Sequence, residues 1–549
     1  MQAVTNNWMN EHKKYLLNES YVEVSLDIAD PDALADVRSY DRGVEDNGAI
    51  YISNPSEVVS EVDKKFVPYC TLEQNIWVLD GGRKAIPEDN YGDSGYVGDA
   101  LSDEVCVFSS KVPTLTLNFT RVFYNPIPGV TITWSATYGE FAEDFVVLAY
   151  LRNQVVAQKE VNGNHSIQSI VEMDITTYDR IVIMVKKWCL PHHRARIEEV
   201  FAGMRKVYSK TQLLNYSHTQ SVDPISTALP KTEIKFSVDN VDGEYNPHNP
   251  QGIAKYLIER QEVKVRYGLK LNDGLIEWIK GGVFYLSEWE AKQNGISADF
   301  VARDLLEFMS TIYIDNHDLS QRSLYDIAEM VLTNANLPLN SDGTVKWRIS
   351  ESLKNIYTYA PLPRDTLANC LQLIANRGKG VLYQDRDGIL RIESFSLTHF
   401  PQDPKPTGYV ISSFNSYSKS EISLTKPIAG VDLNMYSHKK DEKGITSTHE
   451  WTYDEIWAQG EHIVIDNPLF DVLDFSDNEF YDIATWVYKY LKGRMILKSS
   501  VRADVSLDAL DLIEIENDYN TNAVIVTDVE FKYNGAFRGT CEGRVIEHD

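Results

Sequence analysis

The chain has 549 residues, more than the roughly 250–300 that one hydrophobic core sustains, so several domains are expected. Lys+Arg of 53 against Asp+Glu of 80 gives 53 − 80 = −27, a field that repels nucleic acid and anionic membrane, since both are bound through cations that neutralise phosphate. A hydrophobic fraction of 43% excludes a disordered chain, and 31 tyrosines suit contact faces where an apolar ring ends in a hydroxyl.

Cys70, Cys106, Cys189, Cys370 and Cys541 are scattered and contain no Cys-x-x-Cys pair, so neither a zinc site nor a disulfide framework is expected. The segment Met1-Gln-Ala-Val-Thr5 lacks the basic and apolar regions of a signal peptide. No stretch approaches the ~20 apolar residues that span a bilayer. A soluble protein made in a cytosol is expected, meeting other proteins or sugars.

Residues 1–100 read as an N-terminal arm or small β domain, with a helix over 8–17, a strand over 21–26 and a Gly- and Asp-rich stretch after 69–82. Residues 101–205 read as an all-β sandwich. Leu115, Leu117 and Phe119 alternate with polar residues, Val130, Ile132 and Trp134 repeat the pattern, and 145–150 and 180–188 are nearly continuous apolar runs. Asn162-Gly163 marks a turn. Over 170–201, Tyr178-Asp-Arg-Ile-Val-Ile183 leads to Trp188 and then Pro191-x-x-Arg-x-Arg-Ile-Glu-Glu-Val-Phe201. This stretch resembles the end of a discoidin-like, galactose-binding-like jelly roll.

Residues 206–230 are polar without periodicity and read as a linker. The next β domain, 231–320, has alternation at Ile234, Phe236 and Val238, then at Val263, Val265 and Tyr267, with further strands over 281–289 and 296–301 and a helix over 302–309. An α+β unit follows over 321–400. Ser323 caps a helix carrying Leu324, Ile327, Ala328, Val331 and Leu332, and a second helix carries Leu367, Cys370, Leu371, Ile374 and Ala375. Asp387-Gly388 then marks a hairpin. The last part, 401–549, holds one helix near 480–491 and then strands, including a hairpin at Asn534-Gly535.

Taken in order, the segments 69–80, 236–250, 261–265, 282–289, 302–306, 366–376 and 383–392 are similar to tail-tip proteins of phages infecting Gram-positive bacteria, the baseplate hub family. The resemblance implies a mainly β, multidomain protein: a β-sandwich jelly roll plus hub-type β-barrels with a small α+β domain. Implied too are a cyclic oligomer, a trimer favoured, and a place in the virion at the tail tip or baseplate. Distal tail or tail-tube proteins, the tape measure protein and receptor-binding proteins are the implied partners. Some relatives end in a wall hydrolase, whereas this sequence stops shortly after Ile546.

No enzyme, cofactor or metal is expected. Gly-x-Ser-x-Gly, the P-loop pattern and His-Glu-x-x-His do not occur. Cys189 precedes His192 by three residues, but both fall at a turn between strands. His192-His193 on a strand would point to opposite faces. The 239–244 and 385–388 stretches lack the EF-hand Glu and read as turns. The alternative function is adhesion to host wall polysaccharide through the jelly roll. Tyr124, Trp134 and Tyr138, with Phe123, are the candidate carbohydrate contacts, since sugars stack on aromatic rings. The other reading of the same residues is a core Trp134 and tyrosines against neighbouring subunits. A wall-degrading enzyme is the third reading.

Overall fold

In strand Ser20–Ala29, Val22, Val24, Leu26 and Ile28 turn inward while Glu23 and Ser25 face outward. That alternation seats the strand in the largest element of the fold. The computed structural model describes residues 1–12, 14, 18–39, 44–46, 53, 58–59, 67–71, 73–74, 76–77, 83–84, 95–291, 295–315, 320–339, 344–395, 408–437, 447–454, 460–471 and 479–546. The chain is mainly β and divides among several sheets.

The largest is a 13-stranded sheet. Its path runs Gly203–Tyr208, Ser20–Ala29, Glu262–Lys270, Ile276–Ala291, Ser297–Arg303, Lys231–Asp239, Leu213–Ser221, Thr521–Tyr533, Phe537–Val545, Met495–Val501 and Glu421–Leu424. Leu512–Glu516 and Val410–Ile411 branch from Thr521–Tyr533. Strands of both expected barrel domains thus lie in one hydrogen-bonded sheet over one core, from Trp8 and Val22 to Phe531 and Val545.

Two expectations are corrected. The stretch 206–230 holds strand Leu213–Ser221, which pairs with Lys231–Asp239 on one side and Thr521–Tyr533 on the other. Its inward positions include His218 and Gln220, so the polar composition of a linker masks a central strand. The second concerns the arm or small β domain read over 1–100: its strand Ser20–Ala29 pairs with Gly203–Tyr208 and Glu262–Lys270 and so belongs to the large sheet. Its partners lie far along the chain, where no local pattern reveals them.

The sandwich is an insertion in this sheet. The chain leaves at Ala29 and returns at Gly203, and these two residues pair directly. Between them lie a five-stranded sheet (Val44–Asp46, Thr114–Phe123, Tyr178–Trp188, Ala142–Leu151, Gln154–Val161) and a three-stranded sheet (Glu199–Phe201, Ile127–Thr133, Gln168–Ile175). Leu115, Val147 and Ile183 of the first share a core with Val130, Ile132 and Val171 of the second. At the joint, buried Asp27 accepts two bonds from Arg205, at 2.7 and 3.0 Å, on directly paired residues.

The α+β unit packs helices Leu324–Asn334 and Leu367–Arg377 on strands Trp347–Ile349, Leu390–Ser394 and Gly380–Gln384. Ser323 Oγ accepts the Asp326 N–H at 3.1 Å, and Thr366 Oγ1 accepts the Asn369 N–H at 3.2 Å, so both helices start on side-chain caps. The helix expected over 302–309 shrinks to a single 3-10 turn, Leu305–Phe308. Ala302 and Arg303 finish a strand, and extended Asp304 caps the turn by accepting the Leu306 N–H. A further three-stranded sheet, Ser447–Asp454, Ile428–Ser437 and Glu461–Asp471, shares a core with helix Glu479–Lys492. At the N-terminus the helix spans Asn6–His12, and residues 13 and 15–17 lie outside the described residues, as do several positions of 69–82.

Gly203 makes the joint possible. At φ +157° a Cβ there would stand 2.6 Å from the Ala29 Cβ and 2.6 Å from the Ile28 carbonyl oxygen, both anchored in the sheet. Gly203→Ala is expected to destabilise the chain by about 1–3 kcal/mol, the range of an overpacked core position. A thermal melt matching that of the parent chain would show that the joint yields freely.

Candidate binding faces and the buried polar centres

The three candidate carbohydrate contacts do not converge on one surface. Trp134 is 0% exposed, because it continues the inward alternation of Val130 and Ile132. Its ring meets Phe145 edge-on at 4.8 Å and Trp188 at 6.1 Å, and its Nε1 donates to Ser169 Oγ at 2.8 Å. Trp134 is therefore core and offers no stacking face. One face of the Tyr138 ring is covered by the Arg196 guanidinium at 4.6 Å. The Tyr138 hydroxyl accepts the Tyr69 N–H at 2.8 Å and donates to the Tyr69 carbonyl at 3.1 Å. Tyr138 is half-buried, and Tyr124, 71% exposed, faces open solvent.

Beside Tyr138 lies a buried charge network. Arg196 grips Glu73 with both terminal guanidinium nitrogens, Nη1 at 2.8 Å, and approaches Glu140 at 3.6 Å. Glu140 also accepts Trp188 Nε1–H at 2.8 Å and meets His193 Nδ1 at 2.9 Å. Burial alone would raise the Glu73 pKa, but Arg196, Thr71 and the Arg194 N–H hold it below the usual carboxylate range. The network pins the segment around Tyr69 and Glu73 to the sandwich, 123 residues away in sequence. Cys189 accepts the Phe141 N–H at 3.3 Å, and burial pushes its thiol up to about 11. A thiol so placed is a poor nucleophile at neutral pH. His192 sits in a left-handed turn at φ +58°.

The second polar centre lies in the core of the large sheet. His218 Nδ1 meets the Tyr267 hydroxyl at 2.8 Å, and Tyr216 and Tyr267 share a hydrogen bond at 2.7 Å. Arg386, from the Asp387-Gly388 hairpin of the α+β unit, enters this region. It donates to Asp508 Oδ1 at 2.7 Å, the Lys280 carbonyl at 2.8 Å and the Leu507 carbonyl at 3.0 Å. Arg386 thereby ties the α+β unit to two separate stretches of the chain. None of these residues stands out in the sequence, although an inward His in an otherwise alternating strand and an Arg flanked by Asp in a tight hairpin are the available signals. The acidic turns are used locally: Asp239 accepts the Val241 N–H, Asp242 the Glu244 N–H, and Asp385 the Asp387 and Ile389 N–H groups.

At the far end of the large sheet, strand Glu421–Leu424 pairs, among the described residues, with Met495–Val501 alone, and all four of its residues are exposed. Ile422 stands opposite Leu497, and Leu424 opposite Met495, so they share the core-side face. Leu497 is 1% exposed, whereas Ile422 is 57% and Leu424 65% exposed. Phe414 and Tyr417, on the preceding loop, are exposed as well.

No family model matches the chain, and no curated protein matches it. Among solved structures it is similar to the tail protein from Neisseria meningitidis MC58, at 9% identity and TM-score 0.39, over 61% of this chain and 93% of that one. It is similar also to the 43 kDa tail protein of prophage MuSo2 from Shewanella oneidensis, at 14% identity and TM-score 0.40, over 62% and 94%. A third likeness is to an E. coli component of the type VI secretion system, at 10% identity and TM-score 0.34, over 62% and 74%.

Two outcomes test the assignments made from geometry. Trp134→Ala is expected to cost about 3–5 kcal/mol, the range for a buried aromatic, while Tyr124→Ala stays within about 0.5 kcal/mol of the parent. Equal losses in chemical unfolding would refute the division between core and surface. Burial, helped by the Arg386 charge, lowers the His218 pKa from 6.5 to about 3, so the folded chain holds this ring neutral. The unfolded chain takes up the proton first, and the contribution present above pH 6.5 is lost as the pH falls towards 3, by up to about 1.4 kcal/mol per pH unit. His218→Gln should flatten that slope in urea unfolding between pH 6.5 and 4. Coincident slopes would contradict it.

Proposed function

We propose that this chain is a structural component of a phage tail tip or baseplate, a ring-forming hub that joins the tail tube to host-recognition parts. The observation that carries the reading is the edge strand Glu421–Leu424. The core face of the large sheet extends over Ile422 and Leu424, yet both are more than half exposed. An edge with an apolar inner face and no further pairing among the described residues is a template for another chain, and monomeric proteins guard such edges with charge or cover them. A second copy seated there, by a head-to-tail contact that closes, generates a ring. The order of segments that resembles hub proteins supports the same reading, and a trimer is the favoured state.

On this reading the further partners are distal tail or tail-tube proteins, the tape measure protein and receptor-binding proteins, and the protein works in the virion. Its role is symmetry, sealing and transmission of force, without catalysis. The inserted sandwich, carried on two adjacent strands, suits an outward module.

Light scattering coupled to size exclusion tests the proposal. A mass of three chains that holds on dilution is expected, and Ile422→Glu with Leu424→Glu should convert it to one chain without lowering the melting temperature. A parent chain that stays monomeric at tens of micromolar would count against a self-assembling hub. A trimer unmoved by the double substitution would move the seam elsewhere.

A further inference from the structure

The sandwich carries a polar groove at one end of its five-stranded sheet. Thr114–Phe123 pairs with Tyr178–Trp188 in register as far as Asn118 and Arg180, then resumes at Phe123 and Tyr178. Five steps along one strand thus oppose two along the other, and the excess of residues 119–122 bulges away from its neighbour. On the other flank, the turn between Ala142–Leu151 and Gln154–Val161 places Arg152 and Asn153 at φ +47° and +69°. That is the conformation of a tight hairpin turn, which Asn and Gly adopt more readily than Arg. Bulge and turn together frame a depression of about 340 Å³, lined by Asn118, Arg121, Arg152, Asn153, Asp179 and Arg180 among others.

Three guanidiniums in one groove are conspicuous in a chain of net charge −27. Their partners leave them with donors to spare. The Arg180 guanidinium lies over the Tyr150 ring at 4.4 Å and donates to Asn153 Oδ1 at 3.0 Å, while its buried Nε has no hydrogen-bond partner among the described residues. Arg121 meets Asp32 at 3.3 Å, an exposed pair of the kind that exchanges readily with solvent or ligand. Asp179 accepts the Arg152 backbone N–H at 2.8 Å, so it anchors the turn. Asp36 accepts from Thr120 and fixes the bulge. Asp32, Asp36 and Asp179 are engaged with Arg121, Thr120 and the Arg152 backbone, so the groove has room for one oxyanion at a time along a chain. An isolated oxyanion fits, since Arg receives phosphate or carboxylate through paired N–H donors. The carboxamides of Asn118 and Asn153 provide the planar donors and acceptors that bind hydroxyl groups.

We propose that this groove binds a hydroxyl-rich polymer through one oxyanion at a time, a phosphate or carboxylate on a polyol or saccharide unit. It lies apart from Trp134 and Tyr138, and it does not rest on the hub reading. A monomer in the mass measurement leaves the groove intact, and failed binding leaves the ring intact.

Immobilised poly(glycerol phosphate), polygalacturonate and uncharged dextran, each presented to the full chain at about 0.15 M salt, where screening acts beyond ~8 Å, test the proposal. Binding to at least one of the two anionic polymers and not to dextran is expected. Retention on poly(glycerol phosphate) alone identifies phosphate as the group read, retention on polygalacturonate alone identifies carboxylate, and retention on both identifies the oxyanion in general. Arg121→Gln with Arg152→Gln should weaken that binding at least tenfold, and Arg180 is left in place because it packs on Tyr150. Lys235→Gln with Arg538→Gln, which removes two positive charges from a separate groove on the large sheet, should leave it unchanged. Both doubles take the net charge from −27 to −27 − 2 = −29, so a difference between them reports the site and not the overall field. No binding to either anionic polymer, binding to dextran, or equal weakening by the two doubles would overturn the proposal.

Discussion

Strand Leu213–Ser221 is hydrogen-bonded along both edges, and the large sheet depends on it. On one side it holds the strands that follow Lys231, on the other those that precede Val545. Without it the two groups would each expose an edge of unpaired N–H and C=O groups, a cost that folded chains avoid. Its inward face carries Tyr216, His218 and Gln220, so the join is made partly by polar side chains. Polar groups in a core call for partners, and the Tyr267 hydroxyl serves both Tyr216 and His218 Nδ1. Gln220 Oε1 likewise accepts the Ala509 N–H at 3.0 Å.

Buried charges do parallel work elsewhere. Arg386 links the α+β unit to the Leu507–Asp508 stretch and to Lys280, Arg205 links the two strands at the insertion joint, and Arg196 draws Glu73 onto the sandwich. In each case one arginine satisfies acceptors from segments far apart in sequence. Removing either member of such a pair leaves an uncompensated charge in a low dielectric, which is why these contacts fix arrangement more than they add net stability.

The local elements were legible because their periods were clean. Leu115, Leu117 and Phe119 announced a strand, and Leu324, Ile327, Ala328 and Val331 a helix capped at Ser323. What escaped was non-local or polar. His218 and Gln220 broke the apolar alternation that would have revealed the central strand. Ser20–Ala29 looked peripheral because its partners, Val207 and Val265 among them, are separated from it by the whole inserted sandwich. At the candidate carbohydrate site, an aromatic beside a loop was a weak sign, since Trp134, next after strand Ile127–Thr133, kept the strand's alternation and turned inward. Glu73 and Arg196 could not have been paired from spacing alone.

The insertion joint has a mechanical meaning. Both chain crossings into the sandwich leave the large sheet at one point, Ala29 beside Gly203, on antiparallel strands. Tension applied to the sandwich therefore loads the rungs of that ladder one after another, as a zipper, and not all together in shear. The rung at Ala29 and Gly203 meets the pull first, and the Asp27–Arg205 bridge, two residues further in, is the first side-chain brake on peeling. Strand Ser20–Ala29 is also held along its other edge by Glu262–Lys270, so the strand that peels is Gly203–Tyr208. The chain thus enters and leaves the sandwich at one rung, and Lys255 and Tyr256, which reach Asp174 at 2.9 and 3.0 Å, brace the sandwich beside that joint.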